Sequence, residues 1–315
     1  MTDPKSLGVS GTADAAVAEV TARSGTGHPR SLASDAWHDL RRRPLFGISV
    51  GLIAVLLVLA AFPQLFTSAD PTAGDLARSR RPPSAQAWFG YDLFGRDVYA
   101  RTIYGTRVSI IVGVLATTLT VLVGGTMGIL AGYYGGWIDG LLSRITDVFF
   151  GLPFLLGAIV VLATFRESIG GGAIGITALV VLTMAGLSWP VAMRIMRSAA
   201  IAARQQDYVR AARGLGASPL RIIRRHMLPN CLAPVLVYAT IALGAFIGAE
   251  ATLSFLGIGL RDPVVSWGVM ISEARQYLRV SPFLLLFPAG FLAVTVLAFV
   301  MLGDAVREAF DPRSR

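Results

Sequence analysis

Lysine is almost absent. The 315 residues contain one, Lys5, against 27 arginines. A phosphate-cradling P-loop of the form GxxxxGK[ST] needs a lysine preceded by glycine, and Lys5 follows Pro4. Any ATP-driven work therefore requires a nucleotide site on another chain. Histidine is nearly as scarce: His28, His38 and His226 form no HExxH pair and no His/Cys set at metal-ligand spacing. No Ser/His/Asp arrangement for nucleophilic catalysis emerges either. The single cysteine, Cys231, excludes an internal disulfide and is expected to be a small packed residue. Charge is sparse too, at 15% of residues, below what a soluble domain carries.

What the chain has instead is apolar length. Hydrophobic residues make up 54%, and the mean hydropathy is +0.63. Six runs approach or exceed the roughly 20 residues needed to cross a bilayer: 46–66, 108–133, 145–165, 173–193, 231–256 and 282–303. The expected fold class is all-α and polytopic, with six transmembrane helices. The net charge of +9 does not indicate nucleic acid, because the arginines lie beside the apolar runs and not in one soluble basic domain.

Within this frame, residues 1–40 read as a polar, disordered cytoplasmic tail, with Trp37 and Leu40 opening a short interfacial helix. Residues 41–107 hold the first span and the longest extracytoplasmic loop, whose end, 89–107, is expected to carry a short amphipathic helix. The core follows over 108–304, and residues 305–315 form a short charged tail. Gly124, Gly128 and Gly132 leave one face of the second span as bare backbone, for close packing inside the bundle. Residues 135–144 read as a short turn, and Pro153 falls inside the third span.

Six spans put both termini on one side. With that side cytoplasmic, the inner segments carry 18 Lys and Arg and the outer loops carry 10, which favours cytoplasmic termini. The first outer loop alone holds six arginines and weakens the bias.

Residues 194–230 form a polar, arginine-rich interruption. Its core, DYVRAARGLGASPLRIIRRHMLPN over 207–230, reads as two short helices with a glycine break. Tyr208, Ala211, Ala212 and Leu215 share one face of the first. Ser218 then serves as N-cap with Pro219 at the first helical position. Leu220, Ile223 and Met227 stripe the second helix, and Pro229 ends it. Such a segment is either a basic loop on anionic lipid or a docking element for another protein.

Two acids fall inside spans. Asp147 is expected to pair with Arg144 three residues earlier. Glu250 either lines a substrate path or caps backbone near the outer interface. Two acids do not make a proton relay, and no pair of reactive groups marks a membrane enzyme. A stand-alone secondary carrier or a scaffold would leave the 207–230 segment unexplained.

Arg210-Ala211-Ala212, Gly216 and Leu228-Pro229 resemble the EAA loop of ABC importer permeases: EAA, three residues, G, nine residues, I-x-L-P. Arg210 stands for the glutamate and His226 for the isoleucine, departures that match the dipeptide/oligopeptide branch. The runs FGRDVYARTIYGTRVSIIVG, GYYGGWID, AEATLSFLGIGLRDPVVSWG and GDAVREAFDPR resemble the same branch, and its second (DppC/OppC-like) permease in particular.

The resemblance implies the type I ABC importer permease fold in the cytoplasmic membrane. It implies a homologous second permease, two ATPase subunits that bind ATP and Mg, and an extracytoplasmic substrate-binding protein, with no cofactor on this chain. Tyr208, Arg210, Ala211, Ala212, Gly216, Ser218, Leu228 and Pro229 would couple it to an ATPase. Peptides are the implied substrates; nickel, glutathione or haem are the alternatives within the family.

Overall fold

The computed structural model describes residues 40–41, 43–169 and 172–309. The expected tail, including Trp37, lies outside the described residues, apart from Leu40, which is buried against Ala305 and Ala309. Nine α-helices carry the described chain: α1 Pro44–Ala61, α2 Val98–Tyr134, α3 Gly136–Phe150, α4 Phe154–Phe165, α5 Ala173–Arg204, α6 Asp207–Gly214, α7 Pro219–Phe255, α8 Trp267–Ala274 and α9 Phe283–Ala309. Five (α1, α2, α5, α7 and α9) are long and apolar enough to cross a membrane, and the bent pair α3–α4 raises the number to six. Large apolar side chains such as Val55, Leu122, Leu156, Ile174 and Leu286 remain exposed. A helix that is apolar all round suits a bilayer, where its outward face meets hydrocarbon.

The centre of the bundle is the α2–α5 pair, the most extensive helix contact in the chain. The glycine seam expected on α2 lies in this contact. A Cβ on Gly124 would stand 2.4 Å from the Trp189 carbonyl, one on Gly128 2.5 Å from that of Met193, and one on Gly132 2.5 Å from the Ala200 Cβ. Residue numbers rise together along the seam, so α2 and α5 run parallel. The chain between them must return along the bundle, which it does through α3 and α4.

That return is not the single straight span read from the sequence. It starts at Gly136, inside the expected turn 135–144, and breaks at Gly151–Pro153 with a bend of 86°. Pro153 has no N–H to donate and its ring collides with the preceding turn, so α4 restarts after it. α1 stops at Ala61, short of the expected Phe66, while α2, α5, α7 and α9 overrun their apolar stretches. α2 begins at Val98, where Asp97 accepts from the Ala100 N–H at 3.0 Å, so the amphipathic helix expected before the second span is its first turns.

The loop between α1 and α2 is held by buried charge. Arg96 Nε donates to Asp92 at 2.6 Å, and its two terminal nitrogens reach Asp262 at 3.0 Å and Glu273 at 3.1 Å. Arg101, 1% exposed, donates to Glu273 at 3.1 Å. Burial pushes the Glu273 carboxyl up, against the pull of Arg101 and Arg96. Arg107 donates to the carbonyls of Ala60 and Ala61 at the end of α1. Three of the six arginines that blur the charge bias are therefore committed to tertiary bonds.

Replacing Arg101 with methionine would leave Glu273 and Asp92 sharing the one guanidinium of Arg96. Losing the charge-assisted bond to Glu273 is expected to cost about 1.5–3 kcal/mol, read as a fall in the melting temperature of the detergent-solubilised chain. An unchanged Tm would show that the cluster does not hold the loop.

Candidate functional site

The 207–230 segment is two-faced. Val209, Ile222, Ile223 and Met227 are buried on Ile129, Tyr133, Met196, Ala200 and Cys231. These contacts seat the segment on the ends of α2 and α5. Cys231 is itself fully buried, a small packed residue.

The opposite side carries apolar groups into the open. Leu215 is 89% exposed, Leu220 62% and Tyr208 40%. Of Tyr208, Ala211, Ala212 and Leu215, which share a face by spacing, only Ala212 packs, partly, against the bundle. Val209 is the true anchor. Its spacing of three to Ala212 was legible, but a second stripe of equal period overlapped it. In the next helix Ile223 and Met227 point inward, while Leu220 of the same stripe does not.

The turn between the helices is built by its hydrogen bonds. α6 ends with the Gly216 N–H donating to the Arg213 carbonyl at 3.0 Å and the Ala217 N–H to the Ala212 carbonyl at 3.1 Å. This is the Schellman arrangement, which places its C′ residue in the left-handed region. Gly216 has φ +76°, where a side chain is disfavoured. Ser218 occupies the N-cap position before Pro219, without a side-chain hydrogen bond to the helix. Arg210 lies outward, 3.8 Å from Asp207.

Pro229 does not end the element. α7 runs unbroken from Pro219 to Phe255, with a π-helical stretch over Ile222–Met227 immediately before Leu228 and Pro229. The wider turn makes room for the proline ring and for its missing donor. The outward turn and the long helix are thus one mechanical piece.

The two intramembrane acids have partners from other elements. Asp147 accepts from Arg194 of α5 at 2.9 Å, not from Arg144 of its own helix, because α3 lies across α5. Glu250 is wholly buried and accepts from Ser254 at 2.8 Å and Ser266 at 3.0 Å. Those hydroxyls in turn accept from the N–H groups of Leu260 and Val269. The carboxylate thus ties α7 to the loop that starts α8. Among the described residues, no three His, Cys, Asp or Glu side chains gather as a metal site.

Comparison with known proteins bears on the whole chain. The family described as binding-protein-dependent transport system inner membrane component matches residues 124–315, and the N-terminal TM domain of oligopeptide transport permease C matches residues 31–83. The dipeptide transport system permease protein DppC of Alkalihalophilus pseudofirmus is 37% identical over 89% of this chain and 90% of its own length. The oligopeptide transport system permease protein OppC of Bacillus subtilis is 34% identical over 90% and 91%. The glutathione transport system permease protein GsiD of Pectobacterium atrosepticum is 36% identical over 88% and 91%. Among solved structures, an inward-facing MetNI methionine ABC transporter chain superposes with a TM-score of 0.54 at 20% identity, covering 66% of this chain and 96% of that one; the likeness is one of fold. With a polytopic α-helical bundle and relatives aligned nearly end to end, the chain belongs to the binding-protein-dependent transport system inner membrane components, among the DppC/OppC-like ABC importer permeases.

Proposed function

We propose that this chain is one of two permease subunits of an ATP-driven importer of di- or oligopeptides. A homologous permease would complete the path, two ATPase subunits would supply ATP hydrolysis, and an extracytoplasmic binding protein would deliver the solute. The observation that carries the proposal is the exposed turn of Tyr208, Leu215 and Leu220. Apolar side chains held in the open beside Arg210 and Arg213, on a rigid two-helix hook, suit a groove on a partner protein better than lipid.

In this reading the termini and the 194–230 segment are cytoplasmic, and residues 108–304 form the permease core. The ATPases close on ATP and carry the docked hook with them. Because the hook is continuous with α7 through Leu228 and Pro229, its movement tilts α7, and the path opens to alternate sides by rigid-body rocking. Glu250 would keep the outer loop moving with α7. Glutathione, itself a peptide, is the second substrate reading, favoured by the GsiD relative.

The test is affinity capture of the chain from native membranes in a gentle detergent. Recovery of a second permease, ATPase subunits and a peptide-binding protein is expected. Repeated isolation without an ATPase would return the chain to the secondary carriers, with Glu250 and Asp147 as the residues to examine.

A further inference from the structure

A cavity of about 390 Å³ lies between α3 and α5, on the Gly136 side of the break. Ser143, Thr146, Asp147, Arg194, Arg197 and Ser198 line it. Its volume falls within the range of small-molecule sites. Its setting is apolar: Val148, Phe150 and Leu152 stand exposed beside it. Arg194, Arg197 and Ser198 stand at the end of α5 that seats the hook through Met196 and Ala200, so the cavity lies at that end of the bundle, where its charged groups meet water or a polar occupant.

The two ion pairs of the region differ in kind. Arg197 holds Asp139 through two nitrogens, one contact being 2.6 Å, and the side chains are 33% and 21% exposed. That pair braces α3 on α5. Arg194 and Asp147 share one contact of 2.9 Å, and both side chains stay more than half exposed, at 53% and 57%. A guanidinium has five donors and a carboxylate about four acceptor sites, so most of the bonding capacity of this pair points into the cavity. Arg194 is also held in place, its Cζ lying 3.8 Å from the centroid of the Phe150 ring.

We propose that this cavity is a transit site for the charged ends of a small zwitterionic solute. This rests on the peptide-importer reading above. The solute's carboxylate pairs with Arg194, its ammonium pairs with Asp147, and the hydroxyls of Ser143 and Ser198 serve the amide between them. Binding exchanges one open ion pair for two. Gains and losses nearly cancel, so the site holds the solute weakly, as a path must if the solute is to leave.

The test uses the full complex, with partner permease and ATPases, in nanodiscs. A Val148→Cys variant takes an environment-sensitive fluorophore beside the cavity; Cys231 is buried and does not compete for the label. The probes are Gly-Leu, its N-acetyl form, its C-terminal amide and the doubly blocked form. A saturable response to Gly-Leu is expected, weakened at least tenfold by either block and by Arg194→Gln or Asp147→Asn. Because the blocked probes act on unaltered charges, the result does not depend on those variants folding. Equal affinity for all four probes, or no saturable response to Gly-Leu, overturns the site.

ATP-driven uptake of labelled Gly-Leu into proteoliposomes with the binding protein is measured separately. Uptake without the saturable response removes the site and leaves the importer reading. The response without uptake keeps the site and removes peptide import.

Discussion

Gly128→Val in α2 is expected to reduce the yield of monodisperse, detergent-extracted protein at least tenfold. A Cβ at this position would lie 2.5 Å from the Met193 carbonyl oxygen, 2.8 Å from the Met196 Cβ and 2.9 Å from the Arg197 N–H nitrogen. Two of these are backbone atoms of α5, so no side chain can swing aside. Gly124 and Gly132, one turn to either side, are seated as closely, so α2 cannot tilt to relieve one point without closing another. The helices must separate, and Ala192, Met193 and Ala200, all fully buried, lose their packing together. Overpacking alone costs about 1–3 kcal/mol, and the loss along the seam adds to it. Gly290→Val in α9 is the control, because a Cβ there meets nothing within 4 Å; its yield should match the parent. A normal yield of Gly128→Val would mean that α2 and α5 do not meet along this face.

The glycine seam shows what could be read in the chain before its structure. Small residues four apart announce a contact, whichever helix supplies the other side. Apolar length announced the spans for the same reason: both are properties of one stretch in isolation. The charge bias was legible but blurred, since Arg96, Arg101 and Arg107 serve tertiary bonds with no bearing on topology.

Features that depend on a distant partner were not legible. Asp147 had an arginine at helical spacing, yet α5 brought Arg194 closer. Val209 and Tyr208 are adjacent, and only the ends of α2 and α5 decide which of them is covered. Pro153 was expected inside a continuous span and Pro229 at the end of an element, and the structure has the opposite at both. The first does break its span, while the second is absorbed because a π-helical stretch precedes it. The signal was glycine: Gly151 lies two residues before Pro153, and none lies near Pro229.

Leu215→Asp is expected to abolish ATP-coupled uptake while leaving the chain inserted and stable. Leu215 is 89% exposed, so its side chain supports nothing within the fold, and its N–H keeps its bond to the Ala211 carbonyl whatever the side chain. Surface changes of this kind usually move stability by less than about 0.5 kcal/mol. An apolar anchor buried in a partner's groove is another matter. Its loss costs about 2 kcal/mol or more, roughly thirtyfold in affinity, and the aspartate also brings a charge to be desolvated.

Gly216→Asp should act differently. The space beside Gly216 is open, so the strain is that of a left-handed residue, about 1–2 kcal/mol, and it falls on the turn that orients Leu215 and Leu220. A charge at Ala212 is the poorer probe, since Ala212 packs against the bundle and would disturb the seat as well as the hook. The readouts are Tm and yield for folding, ATPase recovery in affinity capture for docking, and uptake in proteoliposomes for coupling. The expected pattern for Leu215→Asp is parental Tm, lost ATPase and lost uptake. Uptake at the parental rate by a stable Leu215→Asp complex would mean that the exposed turn is not where ATP hydrolysis reaches the permease, and that its apolar residues lie on lipid instead.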